Sequence, residues 1–87
     1  MTRRTVVWVS DAEAELADIW LAAESRNQIT SASHRIDVAL AQNAEWAGSP
    51  IVEGLRALDA PPLRVLFEIL DDDGMVRVLK VKRIAQS

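Results

Sequence analysis

The clearest pattern along the chain is a pair of apolar runs separated by an acidic turn. The runs at 62–70 and 75–83 are rich in Val, Ile, Leu and Phe, residue types that are favoured in strands. Between them lies Asp-Asp-Asp-Gly, in which Gly74 suits the positive φ of a tight turn. This pattern predicts a β-hairpin on which the rest of the chain packs.

Side chains alternate across a strand, so the first arm has one apolar face and one mixed face. The apolar face carries Leu63, Val65, Phe67 and Ile69. Both a two-residue and a four-residue turn place four charged residues on the mixed face. These are Arg64, Glu68, Arg77 and Arg83. A bulge or an odd-length loop would instead bring Lys80 and Lys82 to the face of Arg64. We therefore expect a basic cluster around Arg64, with its membership open.

Two helical patterns precede the hairpin. A β-branched and aromatic run at 5–9 predicts a first strand, after which Ser10 and Glu13 have the capping-box spacing that begins a helix. Apolar residues recur at helical spacing over 11–26, and a second apolar stripe follows with Thr30 as its expected N-cap. Two helices joined by a short turn are therefore predicted.

One further strand is predicted between the helices and the hairpin. Gly48 and Pro50 close the second helix, 49–54 is expected to be a loop, and 55–58 is long enough for a short strand. The predicted order is β-α-α-β-β-β. This is an α+β fold with an antiparallel or mixed sheet that a helical hairpin covers on one face. We expect a single domain over 1–87.

Composition narrows the classes of function. The chain has no cysteine, which excludes disulfides and thiolate metal sites, and no motif for a cofactor or a metal is found. No apolar run approaches the roughly 20 residues of a membrane span, so a cytoplasmic location is expected by default. A net charge of −3 disfavours tight nonspecific binding to nucleic acid. The single histidine, His34, is expected on a helix surface.

Several segments together carry a resemblance to a known family. They are Trp8, Asp18-Ile19-Trp20, Ile36-Asp37, Gly54-Leu55-Arg56-Ala57-Leu58 and the run 63–69. In this order, the chain resembles the RelE/ParE superfamily of toxins from bacterial type II toxin–antitoxin systems over residues 5–83. The resemblance implies the RelE/ParE fold and a toxin that a cognate antitoxin neutralises by wrapping the sheet and helix surfaces.

The family divides by target. RelE-like members are ribosome-dependent endoribonucleases that cut mRNA and inhibit translation, whereas ParE-like members inhibit DNA gyrase; plasmid stabilisation is a role typical of such systems. For the nuclease branch, the resemblance implies that Arg64 and Arg83 stabilise the phosphate and its transition state, with Arg56 as a third catalytic residue. It also implies an RNA-binding role for the basic strand end. The residues concerned are Arg77, Lys80 and Lys82.

RNA cleavage also requires proton transfer, for which guanidinium groups are poorly suited because they hardly release a proton. The sequence contains no tyrosine and it ends at Ser87, where the family's C-terminal catalytic residue would be expected. Lysines, or Glu68 beside Arg64, would have to act as acid or base. Three hypotheses stay open: a ribosome-dependent endoribonuclease, a non-catalytic gyrase inhibitor, and a degenerate member that retains only partner binding.

Apolar residues on the mixed face predict association. They are Leu66, Leu70, Leu79 and Val81. An exposed patch of this kind is ordinarily covered, so we expect an antitoxin on it in the cell and self-association of the free protein. In the purely structural alternative, Arg64 and Arg83 only balance Glu68 and the acidic turn across the strands, at ~0.2–1 kcal/mol per pair.

Overall fold

The computed structural model of the chain describes residues 4–84. The elements follow in the order β1 (Thr5–Trp8), α1 (Ser10–Ala22), α2 (Arg26–Ala47), β2 (Ser49–Val52), β3 (Leu55–Ala60), β4 (Leu63–Leu70) and β5 (Met75–Arg83). A 3-10 turn at Asp71–Asp73 and Gly74, which has a φ of +60°, connect β4 to β5. The predicted hairpin is therefore confirmed, and of the two turn lengths considered the four-residue loop is the one observed.

The strands form one sheet in the order β1-β5-β4-β3-β2. The first strand pairs in parallel with β5, and the other three pairings are antiparallel. The predicted hairpin β4–β5 thus lies inside the sheet, with β1 on one side and β3 on the other. The predicted α+β class with a helical hairpin is confirmed, and of the antiparallel and mixed sheets considered the mixed one is observed.

The edge strand β2 was not predicted. Residues 49–54 were expected to form a loop, but Ser49–Val52 pairs antiparallel with β3. All four of its residues are exposed, so no alternation of apolar and polar side chains marks it as a strand. A short, exposed strand that contains Pro50 is typical of a sheet edge.

The helix starts also differ from prediction. The first helix has Val9 as its N-cap and no side-chain cap, because Ser10 already lies inside the helix and the Glu13 N–H donates to the Val9 carbonyl at 2.9 Å. The second helix begins at Arg26, so the expected N-cap Thr30 lies within it. The polar residues before the apolar stripe form the first helical turn. The capping predictions were therefore wrong.

The core lies between the two helices and the apolar face of the sheet. From α2 it contains Ile29, Ala32, Ile36, Leu40 and Ala44. From the sheet it contains Ala60, Leu63, Val65, Phe67, Val76, Val78 and Val81. Burial of this size is the main stabilising contribution in a small domain. The opposite face of β4 and β5 is left open.

Neither helix among residues 4–84 combines the length and the apolar character needed to cross a membrane.

Candidate functional site

A β-bulge in the β4–β5 hairpin determines which charged side chains share the open face. Near the turn, the register of a four-residue loop holds, and Glu68 lies opposite Arg77 as predicted. At Leu66 the register shifts by one residue, so Arg64 lies opposite Lys82. Because of the bulge, Arg77 stays on the open face near the turn, and Lys80 and Lys82 join that face farther along β5.

The phase of the apolar residues in β5 reflects this bulge. Val76 and Val78 are two positions apart, as in a regular strand, but Val81 follows after three, and all three side chains are buried. A regular strand would turn Val81 to the open face. The bulge resolves this conflict, because it returns Val81 to the core and places Lys80 and Lys82 on the open face.

Three cations line one concave pocket of about 450 Å³ on the open face. They are Arg64 of β4 and Lys80 and Lys82 of β5. The remaining lining residues are Ile51, Leu66, Val81 and Glu15. The pocket therefore combines apolar walls with three positive groups and one carboxylate, an arrangement suited to an anion attached to an apolar or aromatic group.

Arg64 is held by a bidentate ion pair with Asp59 on the neighbouring strand β3. Its Nε donates to Asp59 Oδ1 at 2.5 Å and its Nη2 donates to Asp59 Oδ2 at 2.9 Å. The hydrogen bonds from Arg64 lower the pKa of Asp59 below its ordinary value. Burial opposes this shift, and the charges of Arg64 and Lys82 add to it. The pairing orients the guanidinium and leaves Nη1 for a ligand.

Glu15 contributes the carboxylate of the pocket from α1. Its Oε1 accepts a hydrogen bond from the Val81 backbone N–H at 3.1 Å, and its Oε2 lies 3.5 Å from Lys80 Nζ. This contact is possible because β1 pairs with β5 only as far as Val78, which leaves the next part of that strand edge open. Sequence reasoning gave no role to Glu15, since its position depends on the non-local pairing of β1 with β5.

The hypothesis that Glu68 assists Arg64 is not supported by the geometry. Arg77 donates to Glu68 Oε1 through Nε at 2.8 Å and also through Nη2, and neither residue lines the pocket. Arg77, proposed from the resemblance to bind RNA, thus shares the open face but forms a separate ion pair nearer the turn.

Arg83 and Arg56 lie apart from the pocket. Arg83 is opposite Leu63, whose side chain is fully buried in the core, and Arg83 is exposed at the end of β5. Arg56 is opposite Phe67, on the face that the helices cover. Of the three arginines implied as catalytic, the structure brings only Arg64 to the lysines.

Arg56 instead binds the end of α2. Its Nη2 donates to the carbonyl oxygens of Glu45 and Gly48, at 2.8 Å each. Its Nε is buried and has no hydrogen-bond partner among the described residues. A cation at a helix C-terminus binds carbonyls that have no partner within the helix and is favoured by the helix dipole. This geometry gives Arg56 a structural role.

The predicted apolar patch around Arg64 is smaller than expected. Val81 is only 3% exposed, because of the bulge, and the three leucines are partly buried. Among residues 4–84, the most exposed large apolar side chains are Leu21, Trp46, Ile51 and Val52, and of these only Ile51 lines the pocket.

Two further predicted features concern metal and the C-terminus. Within residues 4–84, no group of His, Cys, Asp and Glu is arranged to hold a metal ion, and His34 is exposed on α2. Ser87, where the family's C-terminal catalytic residue is expected, lies outside the described residues.

Several solved structures of toxin–antitoxin systems have a fold similar to that of this chain. The RelBE2 toxin–antitoxin complex from Mycobacterium tuberculosis matches with a TM-score of 0.82 and 19% identity, over 99% of this chain and 97% of that chain. A chain of the chromosomal ParDE toxin–antitoxin system from P. aeruginosa matches with a TM-score of 0.73 and 22% identity, over 95% and 98%. The isolated E. coli RelE toxin matches with a TM-score of 0.63 and 16% identity, over 97% and 87%.

The chain therefore has the fold of the RelE and ParE toxins along nearly its whole length, and the resemblance seen in the sequence is confirmed at the level of the fold. No protein-family model matches the sequence, and no curated protein is significantly similar to it.

Proposed function

We propose that this chain is the toxin of a type II toxin–antitoxin system and that it acts in the cytoplasm as a ribosome-dependent mRNA endoribonuclease. The observation that carries the proposal is the convergence of Arg64, Lys80 and Lys82 on one pocket. The RelE and ParE structures of the same fold support the toxin assignment, because they come from toxin–antitoxin systems. These structures share only the fold with this chain, so the support for RNA cleavage comes from the pocket.

The pocket has the composition that phosphodiester cleavage requires. Attack of a 2′-hydroxyl on the neighbouring phosphate builds negative charge on the phosphoryl oxygens, and preorganised cations stabilise that charge. The apolar walls at Leu66 and Ile51 can contact a ribose or a base. The acidic total charge predicts weak binding of free RNA, so the ribosome would have to present the message.

A second function, inhibition of DNA gyrase, is favoured by a different observation. Both arginines of the open face are already paired with carboxylates, Arg64 with Asp59 and Arg77 with Glu68. A surface whose arginines already pair with carboxylates suits recognition of a protein better than catalysis. The match to the ParDE system is compatible with this function.

A cognate antitoxin is the proposed partner in either case. The exposed apolar residues around the end of α2 and the edge strand β2 include Trp46, 84% exposed, and Val52, 61% exposed. Exposed apolar groups of this size are typical of surfaces that a partner covers. Self-association of the free protein is the alternative use of the same groups.

The experiment is pulse labelling of protein and DNA synthesis in bacterial cells, minutes after induction of the chain without an antitoxin. Arg64→Met is compared with Arg77→Met, which removes the same charge from an ion pair outside the pocket. The proposal predicts early loss of protein synthesis with the wild type and with Arg77→Met, but not with Arg64→Met. Early loss of DNA synthesis alone would favour inhibition of gyrase and contradict cleavage of mRNA. Growth with neither loss, while soluble protein accumulates, would overturn the toxin assignment.

A further inference from the structure

We infer that Glu15 is the proton acceptor in RNA cleavage by this pocket, an inference that rests on the proposed function. The reaction needs one group that takes the proton of the attacking 2′-hydroxyl and one that gives a proton to the leaving 5′-oxygen. Four side chains of the pocket carry a formal charge, and they differ in their ability to perform these steps. They are Glu15, Arg64, Lys80 and Lys82.

Only Glu15 among these four can accept a proton at neutral pH. A guanidinium is protonated under all ordinary conditions, and a lysine ammonium has no lone pair until it loses its proton. A carboxylate has acceptor lone pairs and no donor. The lysines can serve in the opposite direction, as donors to the leaving group. The pocket therefore contains a base and an acid without a tyrosine or a histidine.

The position of the Glu15 carboxylate is fixed by two contacts with β5. The Val81 N–H holds Oε1 at 3.1 Å, and Lys80 Nζ lies 3.5 Å from Oε2. The Glu15 side chain is 35% exposed, so a substrate can reach it. A base held by the backbone of a sheet strand is oriented before the substrate arrives, which is the condition for efficient general-base catalysis.

The reaction balances with these groups. Glu15 takes the proton of the 2′-hydroxyl, and the 2′-oxygen attacks the adjacent phosphorus. The bond from phosphorus to the 5′-oxygen breaks, and that oxygen takes a proton from the ammonium of Lys80 or Lys82. The products are a 2′,3′-cyclic phosphate and a free 5′-hydroxyl. Proton exchange with water restores Glu15 and the lysine, and no metal or redox partner takes part.

The test is cleavage of ribosome-bound mRNA by the purified full chain, measured as single-turnover rate against pH. Glu15→Gln keeps an oxygen that can accept from the Val81 N–H but cannot act as a base. The matched control is Glu13→Gln, which removes the same charge from the same helix outside the pocket. Thermal unfolding of each variant is recorded, and Glu15→Asp serves as the conservative variant that retains a carboxylate.

We expect Glu15→Gln to reduce the cleavage rate by about 10²- to 10⁴-fold, the usual contribution of general-base catalysis, and to abolish the rise of the rate at the acidic side of the profile. Glu15→Asp should recover part of the rate together with that rise. A Glu15→Gln variant that cleaves within a few-fold of the wild type, with the acidic rise intact, would overturn the inference while leaving the proposed function standing. An inactive wild-type protein would overturn both.

Discussion

Replacing Arg56 by methionine removes a guanidinium that joins the end of α2 to β3. Two hydrogen bonds are lost: the one to the Gly48 carbonyl is partly buried and the one to the Glu45 carbonyl is exposed. A hydrogen bond to a charged group contributes ~1.5–3 kcal/mol when buried and much less when water can replace it. Methionine retains the apolar stem and removes the buried, unpartnered Nε, which offsets part of the loss.

These contributions give an expected loss of about 2 kcal/mol in the free energy of unfolding. For a domain of this size, such a loss lowers the melting temperature by roughly 8–16 °C. Circular dichroism measures the change directly. The control is Arg64→Met, which removes an exposed ion pair of ~0.2–1 kcal/mol, so its melting temperature should fall much less.

The opposite pattern would refute this reasoning. If Arg56→Met melts within about 2 °C of the wild type, the contacts at the end of α2 contribute little. If the same variant also loses RNA cleavage, Arg56 acts in the chemistry, as the family resemblance implies, and its position on the covered face of the sheet would need a different explanation.

Three further predictions concern the sheet face and the helix end. Gly48→Ala should destabilise the protein by several kcal/mol, because the added Cβ would lie 2.4 Å from the Ala57 carbonyl oxygen. Urea unfolding would show this as a lower midpoint, and an unchanged midpoint would contradict the prediction. Asp59→Asn should raise the affinity of the pocket for a short 3′-phosphorylated RNA several-fold, because it removes the anion that competes for Arg64. Asp72→Asn in the turn is the charge-matched control. Equal affinities of the wild type and Asp59→Asn in fluorescence anisotropy would refute the prediction. The pKa of Asp59 is lowered in the folded state, so the stability contributed by its ion pair is fully present above the ordinary pKa of 3.8 and is lost as the pH falls through the lowered pKa. In an acid titration, the unfolding free energies of the wild type and Asp59→Asn should therefore converge only below pH 3.8. Convergence at pH 5 would contradict the ion pair.

The central hairpin could be predicted because its information is local. The apolar residues Leu63, Val65 and Phe67 alternate with a mixed face and so determine which side of β4 is buried, and Gly74 supplies the positive φ of the turn. The bulge was also encoded locally, in the three-residue step from Val78 to Val81, although the prediction left it as an alternative.

The remaining features depend on contacts between distant segments. The edge strand β2 has no buried face to mark it, and Glu15 meets Val81 only because β1 pairs in parallel with β5. Arg56 lies on the covered face because it pairs with Phe67, and it binds the carbonyl oxygens at the end of α2 only because that helix ends there. A local pattern of apolar and polar residues contains no information on any of these three contacts.

The most direct test of the pocket compares two neighbouring residues of β5 in a cleavage assay with ribosome-bound mRNA. Lys82 lines the pocket, whereas Arg83 lies opposite the buried Leu63 on the other face of the strand. Each substitution, Lys82→Met or Arg83→Met, removes one positive charge, but only Lys82→Met removes it from the pocket. We expect Lys82→Met to cleave at least about 10-fold more slowly than the wild type and Arg83→Met to cleave normally. Normal cleavage by Lys82→Met, with loss in Arg83→Met, would contradict the pocket defined by the bulge.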